Sequence, residues 1–329
     1  NLFKMSKFIS SFMYLFFYAH NTYFSITHSI NTNRIINIIH KKMNSIYNFL
    51  RISKEINTLM GDIVNFEINT FSEYINMETF HQEPSLFSNK GIILSEYKKI
   101  KEKKNKIIPI IEYIGMIDSY FSIAKLYNEN KKSELYCLPE FIKSEHPIIN
   151  IQNVWHPYLD KKQVVKNDIS IGNNNKQNII ITGPNAGGKS TFIKSIILSV
   201  LFSQTLTISP CKNIIITPFE LVSTYLNIPD CKGKESLFEA EMNRSLSYID
   251  KLKKLESMNK FSIVIMDEIF NSTNPEEGIS GAYAICKKIG KFKNSISIIT
   301  THFNYLTKLN KHNFENYKIQ IKRINNNIV

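Results

Sequence analysis

The segment NIIITGPNAGGKSTFIKSIILSVLF, residues 178–202, changes its apolar period partway along. Ile179, Ile180 and Ile181 form a continuous β-branched run, the pattern of a buried strand, whereas Phe192, Ile193, Ile196, Ile197 and Val200 recur at helical spacing. Between them lie Gly183, Pro184, Asn185, Ala186, Gly187, Gly188, Lys189, Ser190 and Thr191, in which Gly, four residues, Gly, Lys and Ser follow in order. A strand, a glycine turn and a helix in that order suit a phosphate cradle. The glycines let backbone N–H groups wrap a polyphosphate, the helix start adds its positive dipole end, Lys189 reaches the outer phosphates and Ser190 can hold magnesium. Residues 183–191 are therefore candidate nucleotide-binding residues.

The chain has 329 residues, 43% hydrophobic and 21% charged, an ordinary soluble composition with room for two domains. Its formal charge of +13 has two readings: a polyanionic partner such as nucleic acid, or a Lys-, Asn- and Ile-heavy composition that is basic through biased base usage. Cys137, Cys211, Cys231 and Cys286 are far apart in sequence and show no C-x-x-C spacing, which favours reduced intracellular thiols over disulfides or a zinc site.

The opening stretch FISSFMYLFFYAHNTYFSI, Phe8 to Ile26, has an apolar core too short to span a bilayer and is read as a buried helix, with no membrane partner. Helical spacing continues through Ile35, Ile36, Ile39, Met43, Ile46 and Phe49. The basic run KKIKEKKNK at 98–106 reads as a solvated helix end or loop, or alternatively as a nucleic-acid contact. Ile111, Ile114, Ile117, Phe121 and Ala124 then share one face of a long core helix. A break at Pro139 and Pro147 sets the expected boundary between a mainly α-helical domain, 1–140, and an α/β domain, 141–329. Residues 148–171 read as short strands and turns. Trp155 and His156 there could pack beside a nucleotide, but a structural Trp is favoured.

Beyond residue 202 strands at 213–217, 261–270 and 295–303 alternate with helices, one of them following Ser236, so a largely parallel sheet covered on both faces is expected. Asp267 and Glu268 fall at the carboxyl end of a central strand, where ligands of open α/β sheets bind. After a phosphate loop this pair reads as the magnesium carboxylate, Asp267, and the residue that orients or deprotonates the attacking water, Glu268. The residues alone therefore imply a magnesium-dependent P-loop nucleoside triphosphatase with a helical companion domain.

With these residues in place the chain resembles the MutS family of DNA mismatch-repair ATPases. TGPNAGGKST is similar to that family's TGPNMGGKST, with Ala186 where Met is usual; VIMDEIFNSTNPEEG is similar to its LMDEIGRGTS; and THF at 301–303 resembles its ATH motif, matching His302 to the family histidine. VSTYLNIPDCKGKESLFEAEM resembles the segment holding the STFxxEM signature, which puts Ser236 at the signature serine and Glu241 at its acidic residue. NVWHPYLD, VVKNDISIG and IDSYFSIAKL are similar to further elements, so the resemblance runs over roughly 110–305.

Phe270, Asn271 and Ser272 depart from the family's Gly-Arg-Gly, and no amino-terminal mismatch-reading motif is recognisable. The expectation is a fragment of a longer protein or a reduced MutS-like ATPase. The resemblance implies an ABC-type P-loop ATPase domain after a lever-like helical domain, intracellular and soluble, binding ATP and Mg2+. It implies double-stranded DNA, mismatched or branched, as partner, and a homo- or hetero-dimer paired at the ATPase domains. Glu268, His302 and the partner's Ser236 would serve hydrolysis. The alternative is a reduced MutS-like or other ABC-type switch that binds a protein partner and does not read DNA mismatches.

Overall fold

The computed structural model describes residues 2–61, 89–162, 164–172, 176–185, 187–225, 237–271, 274–320, 323–324 and 327–328. Its contacts divide the chain into two units, Asn1–Phe121 and Ser122–Val329.

The second unit is built on the apolar runs. β4 (Asn178–Thr182), β6 (Leu221–Tyr225), β7 (Ser262–Asp267), β8 (Ser295–Thr300) and β9 (Phe314–Lys318) form an all-parallel sheet in the order β6-β7-β8-β4-β9. Alternation sends successive residues to opposite faces. Ile179, Ile181, Ile263, Ile265, Ile296 and Ile298 pack with Ile193, Ile196 and Val200 of the helix α4 (Lys189–Leu206). Ile180, Val264, Met266 and Ile299 pack with Ile249 and Leu252 of α5 (Leu237–Ser257) and Ile285 of α6 (Pro275–Ile289). Runs apolar on both faces, such as 179–181 and 263–266, are what a sheet with helices on both sides requires.

A second sheet carries the order β1-β5-β2-β3, from β1 (Glu140–Phe141), β2 (Ile149–Val154), β3 (Asn167–Ile171) and β5 (Asn213–Ile216). β2 runs antiparallel to β3 and β5, so the 213–217 strand belongs to this sheet and not to the parallel one. Ile149, Ile151, Ile169, Ile171, Ile214 and Ile216 join the same core as α4. Trp155 is structural, its Nε1–H donating to the Leu135 carbonyl at 2.7 Å and its ring edge-on to Tyr136. The final pairing joins β10 (Arg323–Ile324) and β11 (Asn327–Ile328).

The first unit contains α1 (Leu2–Met60), α2 (Lys90–Glu102) and the start of α3 (Lys104–Asn130). Ile36, Met43 and Leu50 pack with Ile93, Ile100 and Ile110. Two expectations are corrected here. The stretch around Phe12 to Ile26 is helical but exposed, with Phe12, Tyr14, Leu15 and Tyr23 all open to solvent, because packing partners begin only near Ile36. In α3 the buried apolar positions are Ile110 and Tyr113, while Ile111 and Phe121 are exposed, so the expected apolar stripe is rotated off the true core face. Within 98–106, Ile100 is buried and the lysines fall on the two helix ends around Lys103. Among the described residues one helical stretch, Lys104–Ser133, is long and apolar enough to cross a membrane by length and composition alone.

One buried polar group ties the parallel sheet together. Asn178, fully buried, accepts from the Ser297 amide at 3.0 Å and its hydroxyl at 2.6 Å, and donates to the Asn313 carbonyl at 3.1 Å. Asn178→Ala strands these groups in the core and is expected to lower stability by about 2–3 kcal/mol, read as a shifted urea midpoint at constant slope.

Candidate active site

The parallel arrangement brings the carboxyl ends of β4, β7 and β8 to one rim. β4 leads into a tight loop. A Cβ on Gly187 would lie 2.9 Å from the Pro184 carbonyl oxygen, which the Gly187 amide already contacts at 3.2 Å. Gly188 caps α4 with φ +89°, a conformation that favours glycine. The first amide to find a helical acceptor is that of Phe192, bonded to the Gly188 carbonyl at 2.9 Å, so those of Lys189, Ser190 and Thr191 head the helix. Gly183, Pro184 and Asn185 complete the loop, while Ala186 lies outside the described residues.

Lys189 is buried, 4% exposed, and its Nζ donates to the carbonyls of Gly183 at 3.1 Å and Pro184 at 3.2 Å. The same nitrogen lies 3.4 Å from Glu268 Oε1 and 3.2 Å from His302 Nε2, and Nε2 in turn contacts Glu268 Oε1. Glu268 Oε1, which can only accept, is thus the shared neighbour of the Lys189 ammonium and the His302 ring nitrogen. Three residues singled out from the sequence, 113 positions apart at the extremes, thus form one cluster.

Asp267 ends β7 opposite Thr300 of β8. The Thr300 hydroxyl donates to Asp267 Oδ1, and the Glu268 amide donates to both the Thr300 carbonyl and its Oγ1 at 3.1 Å. Thr300 is fully buried and bridges the two acidic residues. The chain turns sharply here, with Glu268 at φ +52° and Phe270 at +60°, so the strand stops at Asp267 rather than at 270. Asn271 Nδ2 donates to Glu268 Oε2 at 3.1 Å. Sequence reasoning missed Thr300 and Asn271; the available signal was a hydroxyl residue in register with the acidic strand end. The donor set of Ser190 hydroxyl and Asp267 carboxylate is made of hard oxygens, which fits magnesium completed by phosphate and water.

Ser236 lies outside the described residues. Glu241 is buried on α5 beside Tyr225, whose hydroxyl pKa is raised by burial first and then by the Glu241 charge. Arg244 covers the Tyr225 ring at 4.8 Å and donates to the Thr224 carbonyl, which also accepts from Tyr248, so α5 is fastened to the end of β6. His156 stays apart from the lysine cluster, its pKa lowered by burial and by Lys194.

Residues 179–329 match the family model for MutS domain V. The DNA mismatch repair protein MutS of Thermotoga maritima is 30% identical over 248 residues, covering 73% of this chain and 29% of that protein. The DNA mismatch repair proteins MutS of Finegoldia magna and Borreliella afzelii are 29% and 27% identical, covering 78% and 81% of this chain and 30% and 29% of theirs. The chain therefore spans under a third of the length of these relatives.

Thr300→Val removes the hydroxyl between Asp267 and the Glu268 amide without changing volume much. At about 1 kcal/mol for the lost bond, a site that holds magnesium through Asp267 is expected to need roughly fivefold more of the ion for half-maximal ATP turnover. Thr300→Ser is expected to restore it. An unchanged magnesium titration would show that the hydroxyl does not orient Asp267.

Proposed function

Because the chain belongs to the MutS family through its domain V, we propose that it is the ATP-hydrolysing portion of a DNA-binding mismatch-repair or recombination protein. The observation that carries the reading is the convergence of Lys189, Glu268 and His302 at the mouth of the glycine loop. ATP places its outer phosphates against the amides of the loop and of the first turn of α4. Lys189 exchanges its contact with Glu268 for the phosphate oxygens, which leaves the Glu268 carboxylate free. Glu268 then takes a proton from the attacking water, His302 holds that carboxylate in place, and Asn271 fixes its second oxygen. Ser190 and Asp267 would hold magnesium, which would supply charge neutralisation, and Thr300 keeps Asp267 aimed.

On the resemblance, Ser236 donates to the γ-phosphate bound by a partner subunit, so two chains, identical or related, pair at their ATPase domains. Residues 1–140 act as the lever-like domain and 141–329 as the ATPase. The partner polymer is double-stranded DNA, supported by the net charge of +13.

Two variants separate binding from chemistry. Lys189→Ala removes the phosphate-facing charge, and both ATP binding and turnover are expected to collapse. Glu268→Ala is expected to bind ATP at least as tightly as the native chain, because Lys189 no longer has that carboxylate as a competitor, while hydrolysis slows by about two orders of magnitude. Equilibrium binding with a fluorescent ATP analogue and a phosphate-release assay read the two effects. Affinity unchanged within about twofold in Lys189→Ala would overturn the nucleotide site.

Duplex retention on filters is expected to fall steeply as salt rises, since each neutralised phosphate releases counterions. Phosphate contacts do not specify sequence, so mismatched duplex is expected to be preferred by no more than about fivefold. No retention at low salt would favour the protein-partner reading.

A further inference from the structure

Cys137 and Cys211 are separated by 74 residues, yet their Sγ atoms lie 3.5 Å apart. The backbone sets this up. Cys137 exchanges two hydrogen bonds with Ser209, N to O at 3.1 Å and O to N at 2.9 Å, and Cys211 follows two residues later on the same side of the chain. Cys211 is fully buried and its thiol also reaches the Ser209 hydroxyl at 3.3 Å, whereas Cys137 is partly exposed. A thiol donor beside Cys137 lowers its pKa, and the same contact together with burial raises that of Cys211. The pair is therefore asymmetric: a partly exposed cysteine whose thiolate the neighbouring thiol favours, and a fully buried one whose thiolate is disfavoured.

We propose that Cys137 and Cys211 form a reversible disulfide on exposure to a peroxide, stapling the segment before β1 to the loop between α4 and β5. The Cys137 thiolate attacks one peroxide oxygen, the O–O bond breaks, and the products are a sulfenic acid at Cys137 and hydroxide. The Cys211 sulfur then attacks the Cys137 sulfur, the S–O bond breaks, and the hydroxyl group leaves with the Cys211 proton as water. The two thiols lose two electrons in all and the peroxide gains them. Closing the remaining gap to a bond of about 2.05 Å needs only a small movement of two side chains. Cys286, fully buried, with its thiol pushed up to about 12 by burial, is a free cysteine with no thiol–thiol contact among the described residues and serves as an internal control.

The test uses the full native chain, treated with hydrogen peroxide, alkylated and digested without reduction. The expected product is one peptide pair carrying Cys137 and Cys211, two hydrogens lighter than the separate peptides and parted again by dithiothreitol. Because this crosslink closes a long loop, the oxidised protein is also expected to melt several degrees higher. In Cys211→Ser a sulfenic-acid trap such as dimedone is expected to label Cys137, and in the native chain the label is expected to be at least tenfold weaker because Cys211 resolves the intermediate. The native-chain mass measurement stands even where that variant does not fold. Separate Cys137 and Cys211 peptides, whether still alkylated or oxidised to sulfinic acid, with no linked pair, would overturn the proposal.

Discussion

Lys189 is 4% exposed, and an ammonium group at that depth needs acceptors and counter-charge supplied by the fold itself. Two carbonyls of its own loop, one carboxylate from the end of β7 and one imidazole from beyond β8 meet the need. Each comes from a different sheet connection, so the ammonium position depends on the register of three strands at once. The Ile181 carbonyl that accepts the Thr301 amide at 3.1 Å, and the Ile179 to Ile298 pairing, hold that register. A slip of one residue in β8 would turn His302 away and leave a buried charge without support.

This dependence explains why so polar a site rests on so apolar a sheet. Ile263, Val264, Ile265 and Met266 are almost wholly buried up to the residue before Asp267, and Ile296, Ile298 and Ile299 likewise up to Thr300. Fully buried isoleucines each contribute about 1.5–3 kcal/mol and, being β-branched, restrict their own rotamers. The acidic pair therefore projects from stiff supports. Asn178, a buried polar residue of the sheet, satisfies Ser297 and Asn313 together and so aligns β4, β8 and the start of β9.

Much of the parallel sheet and of the cluster was legible in the chain because period and spacing are local. The switch from the 179–181 run to the spacing of 192–200 located β4 and α4, and the acidic pair marked the rim, although the apolar run extended the expected strand to 270, past its end at Asp267. Tertiary matters were not legible. Helical periodicity cannot say which face finds a partner: it points Ile111 and Phe121 inward where they lie outward, and it places the aromatic stretch at 12–26 in a core that begins only near Ile36. Nor could linear distance reveal that Thr300 meets Asp267 across two strands, or that Cys137 meets Cys211.

Phe270 carries a further consequence. It is fully buried in a left-handed conformation, two residues after Glu268, and its ring centre lies 5.4 Å from that of Phe238 in the first turn of α5. Holding two such non-glycine residues costs on the order of 1–3 kcal/mol each, so the turn persists because the aromatic contact over-determines it. In mechanical terms the turn is a linkage with no slack: one ring contact and two backbone steps separate the start of α5 from the carboxylate. Whatever displaces that helix by an ångström is felt at Glu268 as a rotation, and the set of that carboxylate becomes a gauge of where α5 sits.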